Sequence, residues 1–242
     1  MNVTQVVKKQ VQETADGSLL AVQDFPVPLV RRISLEKALS DLYTAGVLGR
    51  VAKGLYYKPQ PSIFGALPPS TSRLLGKLLS LYKNSVSYLT GLPAYTALGL
   101  TTQVSTEYTI CSDQPRSSPI VFGPTTIRFT SAYVKEEVTD IVLLHILDAV
   151  RDLEEIPATT PQEASVALRA IIRSLSQTRQ RNLVRLCLAY PPSVRAFMGV
   201  VFESLGKKTL AKTLRNSLNP TSKYRIKLDK AVFSNYAQWS IR

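Results

Sequence analysis

Residues 29–59, LVRRISLEKALSDLYTAGVLGRVAKGLYYKP, constrain the fold more than any other stretch of the chain. Leu35, Ala38, Leu39 and Leu42 recur at i, i+3, i+4 and i+7, the stripe of an amphipathic helix, while Arg31, Arg32 and Lys37 lie off it. Gly46 ends the pattern as a C-cap glycine does. Two β-prone runs follow, 47–52 and 55–58, joined by Lys53-Gly54, where Gly54 supplies the positive φ that a tight turn needs. A helix, a turn and a small basic hairpin in one short stretch form the pattern of a winged helix-turn-helix. In that motif a helix enters the major groove and the hairpin touches backbone or minor groove. The same elements also suit a helix and hairpin that only build a core; the basic residues grouped on them favour DNA.

The chain has 242 residues, enough for one large core or two modest ones. Thirty Lys and Arg against seventeen Asp and Glu give a net charge of +13, which favours a polyanionic partner and says nothing about fold. MNVTQVVKKQ has charge without the apolar run of a signal peptide. The longest apolar stretch, 141–150, contains His145 and Asp148 and is far too short to span a bilayer. Cys111 and Cys187 sit in apolar surroundings and read as small core residues of a reducing compartment. The expectation is a cytoplasmic protein with no membrane partner.

Ahead of the central helix, Val6, Val7 and Val11 place a helix over 4–14, and Asp16-Gly17 ends it. Residues 18–25 form a second short element, and Pro28 suits the first turn of the central helix. Residues 59–72, PQPSIFGALPPSTS, read as a linker or surface crossing. Residues 73–82 are helical, with Leu74, Leu75, Leu78, Leu79 and Tyr82 on the apolar face; 88–91 lead into a short helix around 94–98. Residues 103–112, 119–122 and 125–130 are β-branched runs separated by turn residues, three antiparallel strands of a small sheet. From Ser131 the pattern is helical. Thr160, Pro161 and Glu163 form a capping box opening one helix, and 193–205 carries another that stops at Gly206. Charge divides here. Residues 131–163 hold two basic and eight acidic residues, net −6, and 164–242 hold fifteen basic and two acidic, net +13. The blocks either pair within the domain or leave an acidic face for a partner.

Catalytic signals are thin. His145, the sole histidine, lies in an apolar run and reads as a satisfied core residue; one histidine and two distant cysteines are too few for a conventional zinc site. Glu154 and Glu155 are adjacent and point apart on a helix. The sequence has no Walker loop, no nucleophile elbow and no Gly-Ser with spaced aspartates of a nucleotidyltransferase. No catalytic residue, metal or cofactor is expected, and the chain reads as a binding protein. The DNA-contact candidates are Arg31, Arg32, Ser34 and Lys37 on the central helix, with Arg50, Lys53 and Lys58 around the hairpin. Ser34 alternatively bonds its own backbone. A second basic surface comprises Lys207, Lys208, Lys212, Arg215, Lys223, Arg225, Lys227 and Lys230, with Tyr224, Tyr236 or Trp239 available to stack on bases. The alternative for this block is a solvated helix face and a frayed terminus.

Taken together these segments resemble the AbiEi family, the antitoxins of type IV toxin–antitoxin systems, from about residue 16 to about 225. The resemblance rests on Asp24-Phe25, the K-A-L-S-x-L run at 37–42, R-V-A-K-G-L-Y-Y-K-P at 50–59 and Pro68-Pro69. It continues through A-L-G-L-T-T-Q-V at 97–104, Asp113 with Pro115-Arg116, T-T-P-Q-E-A at 159–164, Y-P-P-S-V-R-A at 190–196 and S-L-N-P at 217–220. It implies an N-terminal winged helix that binds operator DNA at inverted repeats, and a larger domain needed for antitoxin action. It also implies autorepression and a nucleotidyltransferase-type toxin as functional partner, with no stable complex required. A monomer in solution that pairs on DNA is compatible with the sequence, which does not fix the oligomeric state on DNA. The matching DNA-reading positions are those around 31–37 and the wing at 50–58. Members often carry a basic residue at the position of Asp41, which would repel phosphate here, and a proline at that of Ser105.

The expected fold is therefore α+β and mostly α. A winged helix-turn-helix over 1–59 precedes a domain over 60–242, itself a mixed part with a small antiparallel sheet (60–130) and a helical bundle (131–242). The expected function is an autorepressing antitoxin on double-stranded operator DNA. The alternative is a toxin- or RNA-contacting protein whose winged helix is mainly structural.

Overall fold

The computed structural model describes residues 2–81 and 86–242. The fold is α+β and mostly α, in two compact units: residues 1–83 with 118–127, and residues 84–117 with 128–242. No helix among the described residues is long and apolar enough to cross a membrane.

In the first unit, α1 (Val3–Glu13) buries Val3, Val7 and Val11 at four-residue spacing. Strand β1 (Leu19–Ala21) and two 3₁₀ turns, Val22–Asp24 and Leu29–Arg31, lead to α2 (Arg32–Thr44), which buries Leu35, Ala38 and Leu39. Gly46, at φ +73°, turns the chain into β2 (Gly49–Ala52) and β3 (Leu55–Tyr57). The three strands are antiparallel in the order β1-β3-β2, the sheet of a winged helix, with 3₁₀ turns where such folds carry a further helix. Val22 N–H donates to Gly54 O at the hairpin turn, and β2 starts at the other end of the sheet, Gly49 opposite Tyr57. The chain thus crosses from one end of the sheet to the other with α2 between. Gly49 is required by close approach: a Cβ there would lie 2.0 Å from the Tyr57 ring. Pro28 precedes a 3₁₀ turn rather than sitting in the first turn of α2. Its ψ of 146° is extended, and α2 starts only at Arg32.

Residues 59–72 are more than a linker. They contain a hairpin of β4 (Gln60–Ser62) and β5 (Gly65–Leu67), with Ser62 Oγ accepting from Phe64 N–H and donating to Gly65 O. Proline content masked these strands, although Pro61 lies on a two-stranded ribbon where its missing donor costs little. Helix α3 (Thr71–Ser80) opens on Ser70, whose hydroxyl accepts from Arg73 N–H, and is tied to the 3₁₀ turn by Lys77–Asp24 at 2.7 Å. Tyr82, expected on its apolar face, lies outside the described residues. Residues 60–81 thus belong with the winged-helix elements in this first unit, beyond the boundary read at residue 59.

In the second unit, β6 (Ser87–Thr90) occupies a stretch read only as a lead into α4 (Leu92–Ala97). It pairs with β7 (Glu107–Ser112), Ser87 opposite Ser112. Strands β8 (Ile120–Phe122) and β9 (Thr125–Ser131) form a hairpin in the first unit, and β9 continues into the second, where the order is β6-β7-β9. Residues 132–140 are irregular, so the helices begin with α5 (Ile141–Arg151) rather than at Ser131. Then come α6 (Pro161–Ser174), α7 (Gln177–Cys187), α8 (Pro192–Ser204) and α9 (Lys208–Arg215). The capping box of α6 is present: Thr160 Oγ1 accepts from Glu163 N–H and Glu163 accepts from Thr160 N–H. After α9 the chain is irregular apart from a 3₁₀ turn at Tyr236–Trp239, but it is packed, with Leu228, Phe233, Trp239 and Ile241 buried in the main core. A frayed tail is thereby corrected.

One polar residue stands at the centre of this unit. Asp148 on α5 is fully buried and accepts from Tyr88 (3.0 Å), Thr90 (2.6 Å), Tyr190 (2.9 Å) and Arg151 (3.1 Å). Arg151 also donates to Asp152, which accepts from Tyr95 at 2.5 Å. Replacing Asp148 with alanine leaves Arg151 and three hydroxyls facing a gap. Asp148→Ala should cost about 3–5 kcal/mol, read as a lower midpoint in urea unfolding, and an unchanged midpoint would show that the cluster carries no stability.

Candidate nucleic-acid interface

Helix α2 turns Leu35, Ala38 and Leu39 inward, so Ile33, Ser34 and Lys37 are left exposed. Arg31, the residue before the helix, and Arg32 in its first turn are exposed too; Arg32 Nε donates to Glu36 at 2.9 Å, an i,i+4 pair. Ser34 makes no side-chain hydrogen bond among the described residues. Lys53 is exposed at the hairpin turn beside Gly54 at φ +78°. Arg50 is exposed on β2 with its guanidinium 6.0 Å from the Tyr56 ring.

Lys58 is differently placed. Its ammonium donates to Thr14 O at 2.8 Å and pairs with Asp16 at 3.1 Å, closing the C-terminal end of α1, and its side chain is 24% exposed. Lys58 therefore holds α1 to the sheet at the end away from the Lys53-Gly54 turn. The sequence pattern could not separate it from Lys53, because a lysine near a hairpin reads alike at either end. The sequence reading also passed over Leu29, Val30 and Ile33, which are 83%, 91% and 85% exposed beside the arginines. The available signal was Ile33 lying off the buried stripe.

Every member of the second basic block is exposed, and three of them are engaged within the fold. Arg215 pairs with Glu203 and lies 4.3 Å from the Trp239 ring, Lys227 pairs with Glu154 at 2.6 Å, and Lys230 lies 4.9 Å from the Tyr236 ring. Trp239 is 2% exposed, packed against Gly199 and donating from Nε1 to Glu203, so it cannot stack on a base. Lys207, Lys208, Lys212, Lys223 and Arg225 are exposed and form no ion pair among the described residues. The acidic and basic blocks do pair within the unit, through Asp140–Arg179, Glu136–Arg185 and Glu154–Lys227.

His145 lies half-buried with Nε2 2.9 Å from Leu89 O, and burial pushes its pKa down. Burial likewise pushes the Cys111 thiol up to about 11. Among the described residues no group of His, Cys, Asp and Glu could hold a metal ion.

Two outcomes follow from these placements. Lys58→Ala should lower stability by about 1–2 kcal/mol through the lost carbonyl and carboxylate contacts, whereas Lys53→Ala should stay within about 0.5 kcal/mol. Equal thermal melts for both would contradict the distinction. At Glu203 burial opposes ionisation, but Asn235, Trp239, Arg215 and Lys208 outweigh it and hold the carboxyl below its ordinary range. The resulting stabilisation is full above the ordinary glutamate range and is lost as pH falls through the lowered value. Fluorescence of Trp239, the single tryptophan, should report this release in acid, and Glu203→Gln should flatten that transition.

Residues 6–183 match the model of a family described only as a family of unknown function, DUF6088. No curated protein matches the chain. Among solved structures, the RV2827C protein from Mycobacterium tuberculosis is similar at 16% identity and a TM-score of 0.43, over 93% of this chain and 85% of that one. The matched span covers most of the described elements, from α1 into α7, and the chain belongs to the DUF6088 family.

Proposed function

We propose that the protein is a cytoplasmic, DNA-binding autorepressor acting as the antitoxin of a type IV toxin–antitoxin pair, with α2 as the reading helix and the β2–β3 turn as the wing. The observation that carries this reading is the winged-helix sheet order, β1-β3-β2, combined with cations that the fold leaves exposed on α2 and at the wing turn. Arg31, Arg32 and Lys37 meet phosphates or guanine edges, and Lys53 meets the backbone of the flanking groove. Leu29, Val30 and Ile33 have the chemistry to contact thymine methyls, an apolar reading that charge alone does not supply. Asp41, exposed on the last turns of α2, keeps that end of the helix away from phosphate. The antitoxin part of the reading rests on the AbiEi resemblance, with a nucleotidyltransferase-like toxin as functional partner and no catalytic step in this chain.

Fluorescence anisotropy on the DNA upstream of the protein's own gene, against a scrambled duplex over a salt series, tests the reading. Preference for its own DNA should reach about a thousandfold, with a steep salt slope. Lys53→Ala should lower that slope by about one, and Arg31→Ala should narrow the preference between the two duplexes. Equal affinity for both duplexes would remove sequence-specific repression and leave contact with a toxin or an RNA as the activity.

A further inference from the structure

The β4–β5 hairpin presents two residues that its own turn does not need. Ser62 and Gly65 close the turn: Ser62 Oγ accepts from Phe64 N–H at 3.1 Å and donates to Gly65 O at 2.7 Å, and Gly65 takes a φ of +100°. Ile63 and Phe64 fill the two positions between, which turns usually give to Gly, Asn, Asp or Ser. They are 93% and 88% exposed, and all of β5 behind them is exposed as well. A large apolar pair left in water at such a place marks a contact site.

Edges, area and charge select the partner. Pro61 in β4 has no N–H and Pro68-Pro69 follow β5 directly, which blunts pairing with a strand of another chain. Two side chains at the end of a turn bury at most about 400 Å², well short of the roughly 800 Å² per partner of a stable protein interface. The segment 59–72 carries no charge, but the unit around it is basic: residues 1–83 hold eleven Lys and Arg against five Asp and Glu, net +6, and residues 118–127 hold none. Four of those acids, Glu13, Asp16, Asp24 and Glu36, are already paired with cations. Arg31, Lys37, Arg50, Lys53 and Arg73 are exposed and pair with no carboxylate among the described residues. Duplex DNA answers both features, with a polyanionic outside for the cations and a base stack that admits a single apolar side chain.

We propose that this turn is a DNA wedge. With the winged-helix unit on a duplex, the Phe64 ring, backed by Ile63, enters between two base pairs from the minor groove and kinks the helix there. Insertion parts one base step, so steps that unstack easily, TA and CA/TG, are the favoured places. The cations of α2 and the wing hold the duplex, and the turn bends it. The inference rests on the reading of this unit as a DNA binder and adds a distortion of the DNA to it.

Energy transfer between dyes at the two ends of the upstream duplex, with the full chain at saturating concentration, tests the wedge. The wild-type complex should be bent by about 20–90°. Phe64→Ser, alone or with Ile63→Ser, should still bind the duplex but leave it straight. The thermal melt should not change, since both side chains are exposed and Ser62 and Gly65 hold the turn. Lys53→Ala should weaken binding and preserve the bend. A bound but straight wild-type complex overturns the wedge and leaves the DNA reading intact, as does a bend that the tip variants retain. Failure of the wild type to bind the duplex overturns both. Adsorption to vesicles of equal parts phosphatidylcholine and phosphatidylserine that the tip variants lose, with no bend in the DNA, overturns the wedge and gives the turn to a lipid surface.

Discussion

The larger unit depends on one buried carboxylate. Asp148 takes donors from three places far apart in the chain: β6 through Tyr88 and Thr90, the turn between α7 and α8 through Tyr190, and its own helix through Arg151. A charge out of water is costly unless every lone pair is met, so sheet and helices must arrive together for the site to be acceptable. Burial pushes the Asp148 carboxyl upward, while Arg151 and the three hydroxyls oppose it. Burial pushes the Tyr88 and Tyr190 phenols upward too, so they stay protonated and able to donate. The hydrophobic cluster around this point supplies the driving force, and the carboxylate fixes which packing is adopted.

The charge of this unit has a structural share and a free share. Arg179 reaches Asp140 with two hydrogen bonds, and Lys227 meets Glu154, so part of the basic C-terminal region neutralises the acidic segment before it. Glu203 collects Arg215, Asn235 and the Trp239 indole, which docks the last residues onto α8. The positive charge of this region is thus of two kinds. It is divided into cations that hold elements together and cations that face solvent without a carboxylate.

What the sequence made legible was local. The stripe of α2, the Gly46 stop and the Thr160–Glu163 capping box each depend on residues within one or two turns of each other, and each is present. The β4–β5 hairpin was hidden because its proline and serine content is that of a linker, yet Ser62 organises its turn through two short-range bonds. The roles of Lys58, Trp239 and Asp148 were not legible, since each is set by partners that only the folded chain brings near. Lys58 and Lys53 flank the same strand and are chemically identical; what separates them is the C-terminal end of α1 lying beside one and solvent beside the other.

That distinction bears on how unpaired cations are to be read. A lysine beside a carboxylate has much of its field cancelled at short range, and an anionic partner gains little there. On α2 and around the wing turn, Arg31, Lys37 and Lys53 are exposed and pair with no carboxylate among the described residues, so their fields stay open to an anion. Around the cavity between α7 and α9, Arg181, Lys207 and Lys208 are likewise exposed and have no carboxylate partner among the described residues. The same residue type is bound into the structure at Lys58 and Lys227 and left free at Lys37 and Lys53, because what the fold brings beside each one, not the side chain itself, decides whether its charge is cancelled.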